Sequence, residues 1–148
     1  MGVLDRTARS ASVVTCSDLV VRQISGTEFE RFLARRADAA IEVASMISER
    51  FRWANRRRIE FATCPADVRV ARILLDLCSA YGRFKGNRGE LDLALTRDEL
   101  ASMAGVALST AEKVVRAYQR EGLVSSRYRA LTVTDLSGLR RRAGQPDR

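Results

Sequence analysis

Leu95 to Val124 reads LTRDELASMAGVALSTAEKVVRAYQREGLV, and this stretch decides the fold. Thr96, with Glu99 three residues on, has capping-box spacing, so a helix starts there. Leu100, Met103 and Ala104 supply its buried face. Ala101 is small enough for a close crossing. Gly105, four residues later, can take the positive φ that a tight interhelical turn needs. After apolar Val106, Ser109 opens a second helix, again with a glutamate, Glu112, at capping-box spacing. Ala111, Val114, Val115 and Tyr118 form its inner face. A small residue, then a glycine four places on, then a capped amphipathic helix is the pattern of a helix-turn-helix.

The downstream sequence extends that reading. Glu121-Gly122-Leu123-Val124 stops the second helix at a glycine and begins a strand. Arg127-Tyr128-Arg129-Ala130 is a basic turn, and Leu131 to Thr134 is a strand of β-branched type. Helix, helix and hairpin make a winged helix-turn-helix, with Glu90 to Leu95 as a third strand. The expected fold class is α+β, mainly helical. The tail from Arg140 to Arg148 is polar and expected to fray.

Upstream, Gly82 to Gly89 (GRFKGNRG) reads as a polar loop. Val70, Ile73, Leu74 and Leu77 mark a helix from Ala66 to about Ala80. From Ala37 to Ala62 there is no Gly and no Pro. Ala40, Val43, Ile47, Phe51 and Ala54 recur in steps of three and four, which defines a helix of about 25 residues, ~37 Å long. Pro65 ends it. Its stripe needs a partner, and a second copy of the same helix fits, so Val43, Ile47, Phe51 and Ala54 are the candidate dimerisation residues. Arg56-Arg57-Arg58 reads as a solvated face. Thr27 with Glu30 caps a short helix carrying Phe29, Phe32 and Leu33, to about Arg35. Ser12 to Cys16 and Leu19 to Arg22 read as two short strands. The expected domains are 1–36, 37–64 and 65–148.

Composition restricts the chemistry. The 148 residues hold 26 Lys plus Arg against 18 Asp plus Glu, a net charge of +8. That surplus favours a polyanionic partner. There is no His, which excludes His acid–base chemistry, His-containing triads and His metal sites. Cys16, Cys64 and Cys78 form no C-x-x-C pair, so no zinc site or cluster is expected; they read as buried thiols in a reducing cytosol. No apolar run approaches the ~18 residues of a membrane span. Nearly all the positive charge is Arg, which suits bidentate contacts to phosphate and guanine. No enzyme, cofactor or metal site is expected.

A helix-turn-helix places its second helix, here about 109–120, in the major groove with the N-terminal residues toward base edges. Leu108, Ser109, Thr110 and Lys113 project there. Lys113 suits a guanine and Leu108 a thymine methyl. Arg116 reaches phosphate or a flanking base. Thr96 and Arg97 suit the backbone at a helix N-terminus, and Arg127 and Arg129 on the wing suit the neighbouring backbone or minor groove. Glu112 reads as a cap.

In order and spacing these motifs resemble the CRP/FNR family of bacterial transcription regulators. Arg9-Ser10-Ala11-Ser12-Val13 resembles the end of that family's phosphate-binding cassette. Thr27 to Arg35 resembles the short helix after the β-roll, and Ala37 to Ala62 the dimerisation helix. Asp67-Val68-Arg69 with Ile73-Leu74-Leu75 resembles the opening of the DNA-binding domain. The resemblance implies a homodimer bound to double-stranded DNA, with RNA polymerase or a full-length relative as further partners, in the cytoplasm at the nucleoid. It also has departures. Only the last two strands of the β-roll are matched, and Met1 falls inside the cassette. The positions that would reach a nucleotide base hold Ala54 and Asn55. Arg9 and Ser10 are thus a remnant cassette, and no cyclic nucleotide, iron–sulfur cluster or haem is expected as a cofactor. Leu108 and Ser109 stand where the family usually has Arg and Glu, so its common half-site does not carry over.

Three readings follow. The chain is a dimeric, sequence-specific regulator without its own effector domain. Alternatively, it is an interaction protein that heterodimerises with a full-length relative. In the third, Met1 is an internal start within an intact ligand-responsive regulator. In each case Ser12 to Arg22 is expected to pack on the long helix, pair with a dimer mate or lack order.

Overall fold

The computed structural model describes residues 3–5, 7–8, 11–15, 18–91, 95–127 and 130–145. Two compact units emerge, Met1–Arg56 and Arg57–Arg148. Their boundary falls within the longest helix.

In the first unit, α1 spans Gly26–Arg35 and α2 begins at Ala37, running to Thr63. The cap of α1 is Ser25, not Thr27. The Ser25 side chain accepts from the Glu28 amide, and Glu28 reaches back to the Ser25 amide and hydroxyl at 2.9 and 2.7 Å. Two capping-box matches lie two residues apart, and the earlier one starts the helix. The strands expected from Ser12 and from Leu19 do not form: residues 12–15 and 18–25 carry no strand. Val13 and Val20 are 96% and 97% exposed. A Val-rich segment becomes a strand only where another strand satisfies its amides. Cys16 lies outside the described residues.

The second unit holds the core. It contains the last turns of α2, then α3 (Ala66–Tyr81), β1 (Gly82–Lys85), β2 (Arg88–Leu91), α4 (Arg97–Ala104), α5 (Leu108–Arg120), β3 (Val124–Arg127), β4 (Ala130–Val133) and α6 (Leu136–Arg142). The strands form one antiparallel sheet in the order β1-β2-β4-β3. GRFKGNRG is therefore a hairpin, not the expected loop. Gly86 takes φ +58 in a two-residue Gly86-Asn87 turn, and Lys85 faces Arg88. The expected third strand begins at Arg88 and pairs Gly89 with Val133 and Glu90 with Thr132.

Val70, Leu74, Leu100, Val115, Tyr118, Leu131, Val133 and Leu139 are all fully buried in this unit. The start of the expected frayed tail is instead helix. Asp135 caps α6 by accepting from the Gly138 amide, and Leu136, Leu139 and Ala143 pack into the core. Arg72 Nε donates to the Ala143 carbonyl at 2.9 Å, which fixes the end of α6 to α3.

Arg57 is not on a solvated face. It donates to Glu60 and Asp76, both at 2.9 Å, while Arg72 donates to the other Glu60 oxygen at 3.0 Å. Glu60 is 5% exposed. A carboxylate this buried requires paired cations, and Glu60 has one on each oxygen. The final turns of α2 are thereby joined to α3.

Candidate nucleic-acid interface

The interface is built on α4, the turn after it, α5 and the β3–β4 wing. Thr96 caps α4 as expected: its hydroxyl accepts from the Glu99 amide, and Glu99 accepts from the Thr96 amide and hydroxyl, both at 2.7 Å. Leu100, Ala101 and Ala104 are buried. Met103, expected inside, is 47% exposed, because the eight-residue α4 turns only a narrow face to the core.

Gly105 ends α4 at φ +60. The Val106 amide then donates to the Ala101 carbonyl at 3.0 Å, closing the turn. A Cβ on Gly105 would lie 2.8 Å from the Phe61 ring. The glycine is needed both for its backbone conformation and for the close approach of that ring. Arg69 covers the same ring, 4.8 Å from its centroid, and donates to the Phe61 carbonyl.

α5 starts one residue before the expected Ser109. Ala107 occupies the N-cap without a side-chain bond, and its carbonyl accepts from the Thr110 and Ala111 amides. Neither Ser109 nor Glu112 caps the helix. Glu112 instead accepts from Arg116 Nη2 at 2.9 Å, one turn along. Ala111, Val115 and Tyr118 are buried and Val114 is partly so. The Tyr118 hydroxyl donates to the Asp67 carbonyl at 2.8 Å. Its burial, with Asp67 nearby, pushes its pKa well above the ordinary range.

The opposite side of α5 is open. Leu108, Ser109, Lys113 and Arg116 are exposed and Thr110 is half-buried. Gln119 and Arg120 continue this side, and with Lys113 and Arg116 they line a shallow depression. The last two were missed in the sequence, although their steps of three and four from Arg116 place them on the same face.

Arg97 and the wing complete the surface. Arg97 is half-buried and donates to Ser126 on β3 at 2.7 Å. Burial lowers its pKa, an effect the charge of Glu112 opposes. Arg127 is exposed. Arg129, like Arg9 and Ser10 of the remnant cassette, lies outside the described residues. Of the remaining site residues, Val43 and Ile47 on α2 are half-buried and Ala54 is exposed. Phe51 is 67% exposed. Among the described residues no cluster of His, Cys, Asp or Glu could hold a metal ion, and no helix is long and apolar enough to cross a membrane.

A capped helix, a left-handed glycine turn, an open second helix and a wing now stand in order. Residues 68–142 match the model of the Crp-like helix-turn-helix domain. The chain belongs to that family.

Among Crp-like relatives, the chain is 21% identical over 143 residues to the CRP-like cAMP-activated global transcriptional regulator of Mycobacterium tuberculosis, covering 97% of this chain and 64% of that protein. It is 33% identical over 99 residues to the transcriptional regulator SdrP of Thermus thermophilus, covering 67% of this chain and 48% of that one. The chain thus spans only part of the length of these relatives. A solved CRP/FNR-family transcriptional regulator of Thermus thermophilus superimposes with a TM-score of 0.61 at 30% identity, over 70% of this chain and 53% of that one. A CooA mutant from Carboxydothermus hydrogenoformans gives 0.71 at 17% identity, over 79% and 54%, a likeness of fold.

Proposed function

We propose that this chain is a dimeric, sequence-specific DNA-binding transcription regulator. The single observation that carries the reading is the open face of α5. Its N-cap lacks a side-chain bond, and Ser109, Lys113, Arg116 and Arg120 stand opposite the buried Ala111, Val115 and Tyr118. In this reading Leu108, Ser109, Thr110 and Lys113 face base edges. Thr96, Arg97, Arg116, Arg127 and Arg129 hold phosphates, and Lys113 reads a guanine. Val43, Ile47, Phe51 and Ala54 join two copies, so that two recognition helices meet half-sites about 34 Å apart. RNA polymerase is a further partner, and the protein works in the cytoplasm as a regulator, not an enzyme.

The name of the mycobacterial relative includes activation by cAMP. For this chain we propose no cyclic-nucleotide binding, since Ala54 and Asn55 stand at the positions that would reach a nucleotide base. Titration calorimetry with cAMP should give no heat of binding.

The test of DNA binding is selection from a random duplex pool, followed by titration of the selected duplex at several salt concentrations. Affinity should fall steeply with salt. Lys113→Ala should weaken the selected duplex more than a random one. Equal loss on both would remove Lys113 as a base reader, and enrichment of no sequence would reject the proposal. The exposed ring of Phe51 also suits a heterodimer with a full-length relative. Sedimentation of the pure chain separates the two: a dimer favours self-association, a monomer the relative.

A further inference from the structure

Glu112 is the one acidic side chain on α5, and the structure gives it no capping role. Its carboxylate takes Arg116 at 2.9 Å across one helical turn, and the pair stands on the open side of the helix, with side chains 39% and 70% exposed. Its charge also acts on Arg97, which is itself held by Ser126. One carboxylate therefore sits among two of the cations through which this surface would take phosphate.

We propose that Glu112 sets the ratio of specific to non-specific DNA binding, acting as an internal counter-charge that phosphate must displace from Arg116. This rests on the DNA-binding reading above. Non-specific binding depends on how many phosphates the cations neutralise, whereas base contacts add a term that salt hardly touches. On a random duplex the helix lies in many poses, each using whichever cations are available. An internal anion penalises all of those poses. At the selected site Lys113 and Ser109 fix one pose, in which Arg116 keeps Nη2 on Glu112 and meets its phosphate with its remaining donors, so the penalty itself is smaller there. Glu112 thereby weakens sequence-independent adhesion more than recognition.

The experiment compares wild type and Glu112→Gln on a selected duplex and on a random duplex of equal length, over a range of salt. Glutamine keeps the shape and removes the charge. The expected result is a several-fold tighter grip on random DNA, a salt slope steeper by about one, and a smaller gain on the selected duplex. In the Arg116→Gln background the Glu112→Gln gain should shrink. An unchanged slope and random-DNA affinity would overturn the proposal. So would an equal gain on both duplexes, a full gain without Arg116, or a loss of affinity for the selected duplex alone, which would make Glu112 a base reader. If wild type, folded by circular dichroism, retards no duplex at all, the DNA-binding reading itself fails. Binding by wild type that ignores Glu112 rejects this inference only.

Discussion

Arg97 Nη2 donates to Ser126 Oγ across 2.7 Å, tying the first turn of α4 to the wing strand β3. The contact spans 29 positions in sequence and joins two elements that the sequence alone assigns to separate phosphate contacts. Ser126→Ala removes the acceptor and leaves the guanidinium in place. We expect a loss of about 1 kcal/mol, as for a partly buried hydrogen bond with a charged donor. Amide exchange should quicken in β3 while α3 stays protected. Unaltered exchange in β3 would mean that the sheet alone holds the wing.

Glu60 holds the last turns of α2 to α3 through two guanidinium groups. Its side chain is 6% exposed, against 14% for Arg57 and 23% for Arg72. Glu60→Ala leaves two poorly hydrated cations facing each other, which should cost about 3 kcal/mol. Asp76→Ala should cost less, because its side chain is 35% exposed and Arg57 keeps Glu60. Urea unfolding of the two variants checks the order. A larger loss for Asp76→Ala would show that Glu60 is not the centre of the cluster.

What was legible in the sequence was local. Thr96 and Glu99 cap a helix three residues apart, and Gly105 needs only its own backbone freedom, so α4 and its turn could be read. The Gly86-Asn87 hairpin left an equally local signal, but its polar neighbours resembled a loop. Leu136, Leu139 and Ala143 carry helical spacing that the arginine run Arg140 to Arg142 obscured. Ser109 and Glu112 matched a capping box, yet the preceding turn places Ala107 at the N-cap. The Glu60 cluster was beyond reach, since Arg72 and Asp76 meet it only through packing. The valines of Ser12 to Cys16 and Leu19 to Arg22 signalled strands, and a strand is completed by neighbours rather than by its own sequence. At the interface, Lys113, Arg116 and Leu108 are exposed as the helical period required, whereas the engagement of Arg97 with Ser126 depends on the folded sheet.

Gly105 and Gly122 both adopt positive φ, at +60 and +72, but only Gly105 has a neighbour where a Cβ would go. Gly122→Ala should therefore cost only the left-handed backbone term, about 1 kcal/mol. Gly105→Ala carries that term and also pushes the Phe61 ring away from Arg69. We expect it to cost about 1 kcal/mol more, at the low end for overpacking because Phe61 is exposed. In a Phe61→Ala background the excess should vanish, leaving the two alanine variants alike. Thermal unfolding of the four proteins measures this. An excess that survives without the ring would place the strain in the turn itself.

Cys78 lies within α3 at 1% exposure, and burial pushes its thiol from 9.0 up to about 11. The neutral form is the one the fold prefers. The resulting stabilisation is complete below pH 9, where the unfolded thiol is also protonated, and is lost as pH rises toward 11. Each unit of that interval corresponds to about 1.4 kcal/mol. Unfolding free energy should therefore decline between pH 9 and pH 11, and Cys78→Ala should flatten part of that decline despite its own packing loss. Tyr118, also buried and shifted upward, contributes in the same direction. A thiol reagent at pH 8 provides a second check, because it should leave Cys78 unmodified until denaturant is added. Rapid modification in native buffer would show that α3 opens without global unfolding, and the alkaline slope would then reflect that local opening.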